Sequence, residues 1–112
     1  MTGIASVGDV TDADFDTEVL GAPLPVLVQF TAQWCGPCRQ LGPVLSAVAQ
    51  DEADRLKVVR LDVDISPGTA MRYGVLSTPT LMVFRRGEPV ASMVGTRPRR
   101  RLLQELADAL TD

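Results

Sequence analysis

Histidine is absent from this chain of 112 residues, and cysteine occurs only twice. A zinc site within one chain needs four ligands, normally cysteine, histidine or carboxylate side chains. Cys35 and Cys38 have no acidic residue close to them in the sequence, which argues against such a site. Covalent haem attachment requires histidine directly after the second cysteine, where Arg39 stands instead. We therefore expect no metal or other cofactor.

The chain also lacks long apolar runs and a strong net charge. No run of about 18 uninterrupted apolar residues is present to cross a membrane, and the opening MTGIASVGDVTD shows no basic leader or signal-peptide pattern. The net charge is −3, from 11 basic and 14 acidic residues, which is too weak to favour nucleic acid or a membrane surface as the main partner. These features predict a cytoplasmic protein.

The remaining composition is that of a globular protein. Hydrophobic residues make up 46% and charged residues 22% of the chain, and the sequence contains no repeat or low-complexity tract. This length suffices for one compact domain with an apolar core and is too short for two. We therefore predict one domain over residues 1–112 and expect a monomer.

Hydrophobic patterning predicts several strands. A nearly continuous apolar run at residues 26–30 is typical of a strand that is covered on both faces, and residues 56–64 predict a second interior strand. Residues 80–84 and 89–94, joined by a turn at Arg86-Gly87, predict an antiparallel hairpin. Residues 4–7 are a weak candidate for an edge strand.

Helices are predicted between these strands. The first runs to Leu20, with Thr11 or Asp12 as its cap, and the second covers residues 36–51. A short helix lies within residues 66–74, and a closing helix has Thr96 as its cap and Pro98 in its first turn. This order predicts an α/β fold with a central mixed β-sheet of about five strands, flanked on both faces by about four helices.

The two cysteines lie in WCGPC at 34–38, where a predicted strand ends and a helix begins. A bridge across so short a loop removes little entropy from the unfolded chain, and cytosolic thiols stay reduced, so stability does not explain the pair. The N-terminal amides and the dipole of the helix favour the thiolate of Cys35. Cys38 lies one turn further on the same side, so the pair suits reversible dithiol–disulfide exchange.

Other segments accompany WCGPC, namely DVDISPGTAMRYGV at 62–75, STPT at 77–80 and Val94-Gly95. Together they resemble the thioredoxin family over nearly the whole chain, from about Val10 onward. The resemblance implies a thioredoxin fold and protein-disulfide reductase activity, in which Cys35 attacks and Cys38 resolves. It also implies oxidised proteins as substrates and re-reduction by an NADPH-dependent thioredoxin reductase.

Three residues around the cysteines are expected to tune them. Gly36 lets the backbone turn tightly, and Pro37 stiffens the start of the helix. In related oxidases and isomerases this intervening pair carries a histidine that makes the disulfide more oxidising, so Gly-Pro argues for a reductant. Trp34 is expected to be a partly exposed lid over the site, with a core position as the alternative.

The substrate groove is implied by the resemblance. It predicts a cis peptide bond between Thr78 and Pro79 that faces the cysteines, with the backbone of Thr78 offered to an extended substrate. Gly95 matches the family glycine that keeps this groove open.

Gln29, Arg60 and Thr31 depart from the family pattern, and Thr31 stands where an aromatic residue is common. Gln29 stands where a buried aspartate usually helps to move the proton of the second cysteine, and Arg60 stands where lysine is usual. Glutamine cannot titrate, so we predict that exchange persists while resolution by Cys38 is slower or relies on water. A buried glutamine also needs a hydrogen-bond partner. A core substitution with no kinetic consequence is the alternative.

Other functions remain open at this point. The same groove would also serve a non-catalytic binding or scaffold subunit, and paired thiols from two chains could bridge a metal. Arg97, Arg99, Arg100 and Arg101 crowd one stretch, which predicts a solvated face rather than a docking site. If the fold places that face near Gly95, it could select acidic partners.

Overall fold

The computed structural model describes residues 6–111. Within this range the chain forms five strands and four helices. The strands are β1 (Gly8–Val10), β2 (Val26–Thr31), β3 (Lys57–Asp62), β4 (Thr80–Arg85) and β5 (Glu88–Val94). The helices are a π-helix (Asp16–Leu20) and three α-helices, α1 (Gly36–Asp51), α2 (Pro67–Arg72) and α3 (Arg99–Leu110).

The strands form one mixed sheet in the order β1-β3-β2-β4-β5. The pairs β1–β3 and β3–β2 are parallel, whereas β2–β4 and β4–β5 are antiparallel. Phe30 near the end of β2 pairs with Thr80 at the start of β4, and Thr80 pairs with Val94 at the end of β5. The end of β2, the start of β4 and the end of β5 therefore meet at one edge of the sheet.

Helices cover both faces of the sheet, as predicted. One apolar layer joins α1 and α3 to the sheet, and its buried members include Leu41, Leu45, Val48, Leu102, Leu106, Leu27, Leu81 and Val83. The opposite layer joins the π-helix and α2 to the other face, and its members include Phe15, Val19, Ala70, Val28, Phe30, Leu61 and Phe84. Alternating side chains of β2 serve both layers, which explains why this central strand is almost wholly apolar.

The predictions for α1 and for the hairpin are confirmed. The helix spans Gly36–Asp51, as its apolar spacing indicates. The β4–β5 turn at Arg86-Gly87 has φ values of 54° and 80°, the left-handed conformation that tight hairpin turns require.

The predicted edge strand at residues 4–7 is wrong in position. Residues 4 and 5 lie outside the described residues, and residues 6 and 7 are not in a strand. The edge strand β1 instead covers Gly8–Val10 and pairs with Val59–Leu61 of β3. Val10 is its buried residue, so a strand this short carries almost no apolar pattern to read.

The predicted cap of the first helix is also wrong. Regular helix begins only near Phe15, after a turn in which Asp14 accepts a hydrogen bond from the amide of Thr11 at 2.7 Å. Asp12 binds α2 instead, since its carboxylate accepts hydrogen bonds from the amides of Gly68 and Thr69 at 3.0 and 2.8 Å.

Two further boundaries differ from the prediction. β3 ends at Asp62 rather than at residue 64, because the Asp62 carboxylate accepts hydrogen bonds from the amides of Asp64 and Ile65 and forms a turn. The last helix begins at Arg99, so Pro98 occupies the N-cap position and Thr96 lies too early to cap it. Of the helices in residues 6–111, none has the length and hydropathy needed to cross a bilayer.

Candidate active site

The two cysteines lie where β2 passes into α1. Cys35 occupies the N-cap position of the helix, with φ −87° and ψ 101°, and Cys38 lies in the first turn. They form a disulfide whose Cα atoms are 5.3 Å apart. Both residues are largely covered in this oxidised state, with 2% and 5% of their surface exposed, and they pack against Ala32 and Val63. The fold thus holds the pair at the edge of the sheet where β2 ends.

The sulfur of Cys35 caps the helix directly. Its Sγ accepts a hydrogen bond from the backbone amide of Cys38 at 3.2 Å. A helix N-terminus carries unpaired N–H groups and a partial positive charge, both of which stabilise a thiolate. This contact places the sulfur where the sequence predicts it.

Gly36 and Pro37 open the helix after Cys35. Gly36 does not adopt a positive φ, and beyond the adjoining residues and the backbone of its own helix a Cβ added to it would meet no atom of the described chain within 4 Å. The backbone at residue 36 therefore does not form a tight turn that requires glycine, contrary to the prediction. Its effect is to leave the surface next to the disulfide free of a side chain.

Gln29 and Arg60 are neighbours in the β2–β3 register, but they reach different places. Gln29 is buried, and its Nε2 donates a hydrogen bond to the carbonyl oxygen of Cys38 at 3.3 Å, so the expected partner exists. Arg60 is exposed, and its Nε donates to the carboxylate of Asp9 in β1 at 2.9 Å. The structure brings Gln29 to the helix that carries the dithiol and directs Arg60 to the β1 edge.

Trp34 lies on the surface, as predicted. It is 69% exposed, and its indole N–H donates a hydrogen bond to the carboxylate of Asp64 at 2.7 Å. Asp64 was not among the predicted site residues, although the sequence DVD at 62–64 places a carboxylate just after the neighbouring strand β3. This bond fixes the orientation of the indole beside Cys35.

Thr78, Pro79 and Gly95 come together at the same edge of the sheet. The Thr78-Pro79 peptide bond is cis, which confirms the predicted isomer, and Pro79 directly precedes β4. The amide of Gly95 donates a hydrogen bond to the carbonyl oxygen of Pro79 at 2.9 Å. Gly95 has φ 92°, and apart from the adjoining residues no atom of the described chain lies within 4 Å of the position a Cβ would take. Because β2 ends at this edge too, the groove residues and the dithiol lie at the same end of the sheet.

The protein-family model for thioredoxin matches residues 6–108. This chain belongs to the thioredoxin family. Thioredoxin of Mycolicibacterium smegmatis is 48% identical to it over 103 residues, which cover 90% of this chain and 92% of that protein. Thioredoxin 1 of Synechococcus elongatus is 47% identical over 97 residues, covering 87% and 91%. A bifunctional thioredoxin reductase/thioredoxin of Mycobacterium leprae is 43% identical over 113 residues, which cover 98% of this chain and 25% of that protein.

Thioredoxin-family membership and the Cys35–Cys38 disulfide establish the chemistry of the chain. It is a protein-disulfide reductase, that is, a dithiol–disulfide oxidoreductase with a CxxC centre. The predictions of family, fold and enzyme class are confirmed. Among the described residues, no group of three or more histidine, cysteine or acidic side chains is placed to hold a metal ion.

The structure corrects the prediction for Arg97. This residue does not lie on a solvated face, since only 6% of its side chain is exposed. Its guanidinium binds both carboxylate oxygens of Glu105 in α3, at 2.6 and 2.8 Å. Arg99, Arg100 and Arg101 are exposed, and Arg99 forms an ion pair with Asp51. Packing, rather than local sequence, separates Arg97 from its neighbours.

The segments around the dithiol also expose apolar side chains that were not predicted as site residues. Ile65 follows the turn after β3, Leu76 precedes the cis bond, and Val94 ends β5. With Trp34 they place large exposed hydrophobic groups on the segments that meet at this edge. Exposed apolar groups of this kind are typical of surfaces that bind proteins.

Proposed function

We propose that Cys35 is the attacking thiol and that Cys38 is the resolving one. In the reduced protein, the Cys35 thiolate attacks one sulfur of a substrate disulfide and forms a mixed disulfide, which releases the first substrate thiolate to take up a proton. Cys38 then attacks the Cys35 sulfur, forms the Cys35–Cys38 bond and releases the second substrate thiol. The substrate gains two electrons, and the protein loses them.

The observation that carries this assignment is the hydrogen bond from the Cys38 amide to Cys35 Sγ at 3.2 Å. A negative charge on that sulfur gains from the amide and from the helix dipole, whereas Cys38 lies inside the first turn and receives less of either. The short spacing makes the second step intramolecular, which favours resolution over release of the mixed disulfide.

For substrate binding, we propose a groove formed by Trp34, Thr78, Pro79 and Gly95. An extended peptide can pair with the backbone of Thr78, since this segment precedes β4 at the edge where the dithiol lies. Open space above Gly95 supports close approach of a peptide backbone. Trp34 and the other exposed apolar side chains would contact the flanking substrate residues.

For the return step, we propose reduction of the Cys35–Cys38 disulfide by an NADPH-dependent thioredoxin reductase. Support comes from the Mycobacterium leprae relative, whose name joins a thioredoxin reductase and a thioredoxin in one chain. Such a cycle belongs in a reducing compartment, so we propose a cytoplasmic location. Each step uses one chain, and we propose that the protein acts as a single-domain monomer with oxidised proteins as substrates.

Reductase-coupled reduction of insulin tests the proposal. With NADPH and a thioredoxin reductase, we expect NADPH oxidation that depends on this protein and on insulin, and that is lost in Cys35→Ser. If the protein bound oxidised proteins without turnover, the alternative of a non-catalytic, redox-responsive scaffold would replace the reductase cycle. Elemental analysis for zinc and gel filtration would detect a metal-bridged dimer.

A further inference from the structure

Arg97 links the end of β5 to the middle of α3. Its Nη1 donates to both carboxylate oxygens of Glu105, and its Nη2 donates to the carbonyl oxygen of Val94 at 2.7 Å. The side chain therefore closes a turn of four residues, Val94 to Arg97, and ties that turn to the helix. Arginine suits this role because its planar guanidinium offers several donors in fixed directions.

This turn contains Gly95, which holds the cis-proline segment. The amide of Gly95 donates to the carbonyl oxygen of Pro79 at 2.9 Å. A continuous chain of hydrogen bonds and covalent bonds thus runs from Glu105 through Arg97 and the turn to Pro79. Gly95 adopts φ 92°, a conformation available to few residues, so its position depends on what holds the turn on either side.

We propose that Arg97 is a positioning residue for the reduction of protein disulfides. It holds the Val94–Arg97 turn so that Gly95 and Pro79 keep the spacing that an extended substrate backbone needs. This inference rests on the groove assigned above. Arg97 has no part in the electron transfer itself, which takes place at Cys35 and Cys38.

Burial distinguishes Arg97 from Arg101, which faces the same carboxylate. The Nε of Arg101 lies 3.6 Å from Glu105 Oε1, but 67% of its side chain is exposed, and the hydrogen bond to the Val94 carbonyl in the described residues comes from Arg97. Water screens an exposed ion pair of this kind, so the pair does little to hold the two side chains in place. Arg101 is therefore a matched control, with the same partner and without the link to the turn.

The experiment compares Arg97→Met with Arg101→Met on two substrates, insulin and a small aromatic disulfide that reaches Cys35 without filling the groove. For Arg97→Met we expect KM for insulin to rise about five- to tenfold with kcat nearly unchanged. The rate with the small disulfide and the reduction potential should match the wild type. Arg101→Met should match the wild type with both substrates.

The inference is overturned if Arg97→Met leaves KM for insulin unchanged, or if both substrates slow equally. Arg97→Lys covers the case in which Arg97→Met does not fold, because a lysine keeps a positive charge opposite Glu105 but lacks the planar fork. We expect the KM of Arg97→Lys for insulin to lie between the values for the wild type and for Arg97→Met. A KM equal to that of the wild type would count against the inference.

The variant Gly95→Val tests the proposed groove independently of Arg97. A valine side chain would fill the open space above residue 95, so the groove predicts a large increase in KM for insulin. If Gly95→Val leaves KM unchanged, the groove assignment fails and the role of Arg97 fails with it. If Gly95→Val raises KM and Arg97→Met does not, the groove stands and only the role of Arg97 is wrong.

Discussion

Gln29 is a buried polar residue whose amide nitrogen points at the backbone of the dithiol helix. Its Nε2 donates to the Cys38 carbonyl oxygen at 3.3 Å, so the side chain helps to hold the first turn of α1 against β2. A glutamine side chain cannot accept or release a proton near neutral pH. If Cys38 is the resolving thiol, as proposed, its deprotonation therefore has to use water or another base.

Gln29→Asp should accordingly change stability and rate in opposite directions. The variant loses the donor and places a carboxyl group beside a carbonyl oxygen, which should lower the free energy of unfolding by about 1–3 kcal/mol. The same carboxylate can take the Cys38 proton, so we expect release of the mixed disulfide to accelerate by about tenfold, below the range of optimised general bases. Stopped-flow measurement of thiol release would show this.

Gln29→Leu is the matched control for that experiment. It removes the same hydrogen bond without adding a base, so it should lose stability and gain no rate. An unchanged release rate in Gln29→Asp would mean that Gln29 is a core substitution with no kinetic consequence.

At the residue scale, the sequence predicted the roles of side chains that interact with residues close to them in the chain. Cys35 and Cys38 are three residues apart and share one helical turn, so their relation follows from the spacing alone. The contacts of Arg97 and Asp64 were not predicted, because their partners lie 8 and 30 residues away. Their contacts depend on how α3 and the β3–α2 turn pack, which no local pattern describes.

The short helix α2 depends on a carboxylate from outside its own segment. Asp12 accepts hydrogen bonds from the amides of Gly68 and Thr69 and from the Thr69 hydroxyl, the last at 2.6 Å. These bonds satisfy N–H groups that a helix start leaves unpaired. The Thr69 hydroxyl foremost, and then the two amides, hold the pKa of Asp12 below its ordinary value.

This cap predicts a pH-dependent loss of stability. Because the folded-state pKa of Asp12 is lowered, its stabilisation is complete above the unfolded pKa of about 4 and is lost as the pH falls through the folded value. The difference in unfolding free energy between wild type and Asp12→Asn should be constant above about pH 5 and shrink below about pH 4. Urea titrations across this range would measure it.

Thr69→Val provides the comparison, since it removes the hydroxyl and keeps the backbone amides. Part of the pH-dependent stability that the Asp12 cap provides should be missing in Thr69→Val, whereas all of it should be missing in Asp12→Asn. A difference between wild type and Asp12→Asn that stays the same from pH 6 to pH 2 would contradict the cap.

At the element scale, strongly periodic segments were predictable and their ends often were not. Apolar spacing gave the bounds of α1, and the Arg86-Gly87 turn gave the hairpin. The first helix was placed too early because Asp12 looks like a local cap, whereas it serves α2, 56 residues further along the chain. A capping residue predicts where a helix begins only when it caps the helix that directly follows it in the sequence.

For the whole molecule, stability comes from the two apolar layers rather than from the disulfide. The bridge joins residues with a sequence separation of three, whereas the layers bury side chains from all five strands and all four helices of the described chain. Reduction should therefore leave the protein folded and lower the unfolding free energy by about 2 kcal/mol, the closure entropy of so short a loop. Urea denaturation with and without a reductant tests this, and unfolding on reduction would refute it.

Trapping of the mixed disulfide tests the central assignment most directly. Cys38→Ser, reduced and mixed with an oxidised protein, should accumulate a covalent adduct through Cys35 that a strong reductant releases, because the resolving thiol is missing. Cys35→Ser should form little adduct under the same conditions. Failure of Cys38→Ser to form any adduct, or equal trapping by Cys35→Ser, would contradict the account.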